Sequence, residues 1–113
     1  MAYNSRLMVI VETKHFTKLI QNLMSDDEYR KLQEALVNRP SMGVILQGTG
    51  GLRKVRWKLE GRGKSGGARV IYYWMMEAEQ IYMLYGFSKN EQENLTSAQK
   101  KLLKQIVERW SDG

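Results

Sequence analysis

Between Leu52 and Glu60 the chain reads LRKVRWKLE, with charged and apolar residues alternating at a period of two. In an extended strand that period places Lys54, Arg56 and Lys58 on one face and Val55, Trp57 and Leu59 on the other. The loop that follows adds Arg62 and Lys64, and the next apolar run contains Arg69 near its start. With Arg53, these seven cations face one acid, Glu60, so residues 53–69 hold the whole formal charge of +6. A lone basic strand is often only a solvated sheet edge, where lysines guard against edge-to-edge pairing. Here the adjoining loop and strand enlarge the cluster, which repels itself unless an anion sits among its members. Phosphate is the anion that suits Lys and Arg best, Arg through its bidentate fork. Interleaved aromatics, Tyr73 among them on the Arg69 side, suit stacking on unpaired bases. RNA is therefore the expected partner.

Composition removes other classes. The chain has 113 residues, 42% of them hydrophobic, with three Trp, six Tyr and two Phe. That is a globular value, too apolar for a disordered basic tail. One domain spanning residues 1–113 is expected, since a chain this long buries roughly two thirds of its unfolded surface around one core. Zero cysteines and the single His15 leave no disulfide framework, thiolate site or histidine metal cluster. No apolar run reaches the roughly 18–20 residues of a membrane span, and no signal-peptide pattern opens the chain, so a soluble cytoplasmic protein is expected. The glycine-rich stretches are not nucleotide fingerprints. GTGGLRK lacks the P-loop register, and GRGKSGG is followed by a strand where a dinucleotide site needs a helix. Both read as hairpin turns.

The elements that must position the cations follow from local pattern. Residues 7–11 (LMVIV) read as a buried strand. Phe16, Leu19, Ile20, Leu23 and Met24, then Tyr29, Leu32 and Leu36, mark two adjoining helices over residues 14–38. They meet at Ser25, where Ser-Asp-Asp-Glu forms a capping box, and end before Pro40. ARVIYYWMM is a second long strand, with Val70, Tyr72 and Trp74 on one face and Arg69, Ile71 and Tyr73 on the other. IYMLYGF is a third. Thr96-Ser-Ala-Gln99 is a second capping box, opening an amphipathic helix through Leu102, Leu103, Ile106, Val107 and Trp110. The expected architecture is α+β: an N-terminal strand, two helices, a small sheet of antiparallel strands and a C-terminal helix, with the helices on one face.

The strings GTGGLRKVRW, GRGKSGGARVIYY and YGFSKNEQENLT together resemble the RelE/ParE superfamily of toxins from type II toxin–antitoxin systems, with HigB proteins nearest. The likeness runs from the first strand to the C-terminal helix. It implies a RelE-like fold and cleavage of mRNA in the A site of the 30S ribosomal subunit, without metal or other cofactor. The ribose 2′-OH attacks the adjacent phosphorus and leaves a 2′,3′-cyclic phosphate and a 5′-OH. It also implies a cognate helix-turn-helix antitoxin, HigA-like, through which alone operator DNA would be reached.

By position the family pattern falls on Lys54 and Arg56 in the central strand, Arg69 in the next, and Lys89 after the last. The implied roles are Arg69 on the scissile phosphate, Arg56 on the phosphate or leaving group, Lys54 as base toward the 2′-OH, and Lys89 completing the charge clamp. Arg53, Lys58, Arg62, Lys64 and Tyr73 are expected to contact RNA or the ribosome. One departure stands out. RelE has a functional tyrosine in its C-terminal segment, whereas no Tyr follows Tyr85 in this chain. Tyr73 is a possible substitute, and a packing role is open to it as well. His15 is a lone histidine beside Phe16, a setting that is usually structural or surface. Two other classes are weighed: a ParE-like inhibitor of DNA gyrase, which needs no phosphate-stabilising cluster, and a non-catalytic RNA-binding module.

Overall fold

The computed structural model describes residues 8–59 and 67–112. Strand β1 (Val9–Glu12) runs into helix α1 (Lys14–Leu23) at Thr13, whose hydroxyl accepts from the Phe16 N–H at 3.1 Å. Helix α2 (Asp26–Asn38) starts at the expected box. The Glu28 N–H donates to Ser25 Oγ and the Ser25 N–H to Glu28 Oε1, both at 3.1 Å. Asp26, Asp27 and Glu28 all fall in its first turn, where carboxylates favour the helix dipole. It stops two residues ahead of Pro40, and a short 3-10 turn (Pro40–Met42) leads to the two-residue strand β2 (Val44–Ile45). Strands β3 (Leu52–Trp57), β4 (Ala68–Met75) and β5 (Gln80–Ser88) follow, then helix α3 (Ser97–Asp112). The second capping box opens α3 as expected, with Gln99 N–H to Thr96 Oγ1 at 3.1 Å and Thr96 N–H to Gln99 Oε1 at 2.9 Å. No helix of the described residues is long and apolar enough to cross a membrane.

The five strands form one sheet in the order β1-β5-β4-β3-β2. The last four pair antiparallel, but β1 pairs parallel to β5, Val9 opposite Gln80, so the sheet is mixed. The helices do not share one face, as the pattern suggested. From α1 and α2, Phe16, Ile20, Leu23, Leu32 and Leu36 pack with Val55, Val70, Tyr72, Ile81 and Met83. From α3, Leu103 and Val107 pack with Leu52, Ile71, Leu84 and Phe87 on the opposite side. The reason lies in β4. Val70, Ile71 and Tyr72 are all fully buried, so successive residues on both faces of the strand need cover. Burying each large apolar side chain of these two cores contributes about 1.5–3 kcal/mol.

Two local devices hold the frame that carries the cations. Tyr72, wholly buried in β4, donates its hydroxyl to the Pro40 carbonyl at 2.6 Å and accepts from the Gly43 N–H at 2.8 Å. A Cβ on Gly43 would lie 2.7 Å from that oxygen, so only glycine permits the clasp. Burial raises the Tyr72 pKa, against smaller opposing effects from the Gly43 N–H and Arg53. In β5 a bulge at Leu84 changes the register, with Tyr85 opposite Ile71 but Met83 opposite Tyr72. The extra residue turns Leu84, Tyr85 and Phe87 all toward the α3 core, which plain alternation cannot do.

Candidate active site

Residues Leu52, Lys54 and Arg56 point to the α3 side of β3. Leu52 is buried there in the α3 core with Val107, whereas Lys54 is half-buried and Arg56 exposed. Arg69 lies directly opposite Arg56 across the β3–β4 ladder. The Lys89 N–H bonds to the Gly67 carbonyl at 3.1 Å, which makes Arg69 and Phe87 a hydrogen-bonded pair two residues along. The Arg69 backbone groups therefore face β5, and its pairing with Arg56 is of the close, non-hydrogen-bonded kind. Like charges so placed are destabilising.

Strand β5 ends at Ser88 and delivers Lys89 to the same spot. With Glu93 and Asn94, the three cations Arg56, Arg69 and Lys89 line a cleft of about 260 Å³. Among the described residues neither the Arg56 nor the Lys89 side chain has an ion-pair or hydrogen-bond partner, and Arg69 reaches only its neighbour's carbonyl, Ala68, at 3.4 Å. Lys54 is held at the rim, its Nζ donating to Asn94 Oδ1 at 3.2 Å. Partial burial lowers the Lys54 pKa, helped by the charges of Arg56, Arg69 and Lys100.

The segment carrying Lys89 and Asn94 is anchored by a chain of hydrogen bonds. Gln92 Nε2 donates to the Asn94 carbonyl at 2.8 Å and to Gln99 Oε1 at 3.0 Å, and Gln99 Nε2 donates to Tyr85 Oη at 3.0 Å. The capping glutamine of α3 thus also fixes the turn. Lys100, next in sequence, is brought toward Lys54 by the same helix start. Asn94, Glu93 and Lys100 were not anticipated from sequence. The visible signal was the Thr96–Gln99 box, which sets a helix start immediately after the Lys89 turn.

Of the residues expected to act, Lys54, Arg56, Arg69 and Lys89 come together. Among the described residues the others do not join them. Arg53 points to the opposite face, where its Nη1 donates to the carbonyls of Ser41 (3.2 Å) and Gly43 (2.8 Å) and its guanidinium lies 5.7 Å from the Trp74 ring centre. Lys58 is exposed just past the end of β3. Tyr73 shares the Arg69 face but stands four residues along β4, about 13 Å away. It is half-buried there, packing against the α3 core and over Gly51. Arg62 and Lys64, and the side chain of Trp110, lie outside the described residues. His15 is exposed at the start of α1, its ring nearly parallel to that of Tyr85 at 6.0 Å. Among the described residues no group of three or more His, Asp or Glu is placed to hold a metal ion.

Such an arrangement can hold a phosphodiester between Arg56, Arg69 and Lys89 and offer an amine of lowered basicity beside it. Comparison with known proteins agrees with the fold. The intact E. coli RelBE toxin–antitoxin complex contains a chain superposing with a TM-score of 0.56 at 16% identity, covering 73% of this chain and 96% of that one. The isolated E. coli RelE toxin superposes with a TM-score of 0.57 at 13% identity, covering 88% and 99%. A family model described as the RelE toxin of the RelE/RelB toxin–antitoxin system matches residues 8–112, a span that includes both helical layers, the sheet and every residue of the cationic cleft. The chain belongs to the RelE family of toxin–antitoxin toxins, within the RelE/ParE superfamily.

Proposed function

We propose that this protein, acting as one domain over residues 1–113, is a ribosome-dependent mRNA endoribonuclease of the HigB kind that stops translation in the cytoplasm. The observation that carries the reading is Lys54. It is hydrogen-bonded to Asn94, crowded by Arg56, Arg69 and Lys100, and has a lowered pKa, the condition under which a lysine serves as a base. In the proposed reaction neutral Lys54 takes the proton of the ribose 2′-OH, whose oxygen attacks the neighbouring phosphorus. Arg69 and Lys89 stabilise the added negative charge of the phosphorane, a use of fixed cations that outweighs most other catalytic effects. The P–O5′ bond breaks beside Arg56, leaving a 2′,3′-cyclic phosphate, and the departing O5′ takes a proton from water.

The proposed partners are mRNA in the 30S A site and a cognate antitoxin. One similar solved structure is the intact E. coli RelBE toxin–antitoxin complex. The strings resembling HigB favour a HigA-like, helix-turn-helix antitoxin here, with operator DNA contacted through it. The test is to map message ends after adding purified protein to a translating extract, and to the same RNA without ribosomes. Cuts within codons that need ribosomes, end in cyclic phosphate and vanish in Arg69→Ala are expected. Inhibition of gyrase supercoiling with intact message would replace this reading by the ParE-like one. RNA binding with no cuts in either sample would make the protein a binding module.

A further inference from the structure

The turn between Ser88 and Leu95 has a cleft on each side. One is the cationic cleft. The other, about 380 Å³, lies at the outer edge of β5 and is lined among others by His15, Asn22, Tyr85, Gly86, Glu91 and Gln92. Its volume falls in the range of small-ligand sites, roughly 300–1,000 Å³. Among the described residues no Lys or Arg lines it, and Glu91 adds a carboxylate, so it does not suit phosphate. What it offers is neutral hydrogen bonding beside flat rings. Asn22 contributes an amide. The Gln92 amide nitrogen is engaged by Asn94 and Gln99, which fixes the side chain and leaves its oxygen to accept. Because Lys89 and Gly67 form a hydrogen-bonded pair, Gly86 belongs to the alternate set and turns its N–H and C=O away from β4, toward this edge. Strand β1 ends opposite Met83, so it does not cover that stretch of β5. Gly86 is buried, so this donor and acceptor lie at the floor of the cleft; with the near-parallel His15 and Tyr85 rings alongside, they match the edge and face of a nucleobase.

The spacing also fits. Phe87 lines this cleft and Lys89 lines the cationic one, two residues or about 7 Å apart along an extended chain. One nucleotide bridges such a distance between its phosphate and its base. We propose that the His15–Asn22–Gly86 cleft is a base-binding subsite that holds one nucleobase of the RNA whose phosphate lies in the cationic cleft, and so sets which sequence is cut. The proposal rests on the ribonuclease reading for its biological use, but not for its test by binding.

The wild-type protein is titrated with AMP, GMP, CMP, UMP and inorganic phosphate, following the Gly86 amide and the Asn22 side-chain amide by NMR. At least one nucleotide should move both signals, while inorganic phosphate moves only those around Arg56, Arg69 and Lys89. Nucleotide shifts no different from those of phosphate would overturn the subsite. In a translating extract, His15→Ala and Asn22→Ala, both at exposed helix positions, should each flatten the base preference beside the cut by about fivefold, the worth of one lost hydrogen bond or stack. An unchanged preference in both variants would also overturn it. Wild-type protein that makes no ribosome-dependent cuts would end the ribonuclease reading alone, and the nucleotide titration would still decide the subsite.

Discussion

Lys54→Met should make the protein more stable and inactive at once. Met keeps the length and packing of the lysine stem and removes only the charge. In the wild type that charge faces Arg56, Arg69 and Lys100, which add to partial burial in depressing its pKa. Lys54 is largely solvated, so each repulsion is a screened one, about 0.2–1 kcal/mol. Against their sum stands the bond to Asn94, about 1 kcal/mol. The balance is a stabilisation of about 1 kcal/mol, or roughly 4 °C in Tm for a chain of this size. Urea denaturation at low salt measures it. At about 1 M salt, where the Debye length is about 3 Å, the advantage of the variant should disappear. The pH dependence has a definite sign. A lysine whose folded pKa lies below its unfolded value binds fewer protons when folded, so wild-type stability rises as pH climbs from the folded toward the unfolded pKa. The penalty is full below the folded pKa, and the gap to the variant should narrow as pH rises through it toward the unfolded value. A Lys54→Met protein less stable than wild type at low salt would refute the idea that these cations are held in mutual repulsion.

Asn94→Ala removes a hydrogen bond that favours the charged amine, so the Lys54 pKa should fall further and the rising limb of the cleavage rate against pH should move to lower pH, with a reduced maximum; a limb that stays in place would separate Asn94 from Lys54. Tyr72→Phe strips the partners from the Gly43 N–H and the Pro40 carbonyl in a buried site, and should cost about 2–4 kcal/mol in urea denaturation; a loss under about 0.5 kcal/mol would show that the clasp contributes little. Gly67→Ala places a Cβ 2.5 Å from the Trp57 carbonyl at a backbone φ of +130°, and should destabilise by about 2 kcal/mol or more by the same assay. Tolerance of alanine there would mean that the β3–β4 approach gives way readily.

Much of the frame was legible because short-range chemistry dictates it. Ser25 with Glu28 and Thr96 with Gln99 are reciprocal bonds across three residues, and Pro40 forbids helix just ahead of itself. Alternation along β3 and the first half of β4 put Lys54, Arg56 and Arg69 on one face. Long-range choices left weaker marks. The parallel pairing of β1 with β5 joins positions 71 residues apart and has no local signature. The bulge at Leu84 shifts the phase of β5 by one residue, so parity read from Ile81 misplaces Tyr85 and Phe87. The two-sided cover of the sheet was readable in principle from the unbroken apolar run Val70–Tyr73, which is too apolar for a strand with one wet face. Arg53 was counted with its charged neighbours, yet parity alone sends it to the Trp74 side.

The pairing of β1 with β5 has a consequence in time. Chains are made from the N-terminus and begin folding as they emerge. A nascent chain that has produced β3 and β4 possesses Arg56 and Arg69, but its first strand still has no neighbour. Lys89, Asn94 and Lys100 lie C-terminal to both strands and emerge after them. The cleft therefore closes only once the β3–β4 pair that carries Arg56 and Arg69 has been joined by the Lys89 turn and the start of α3.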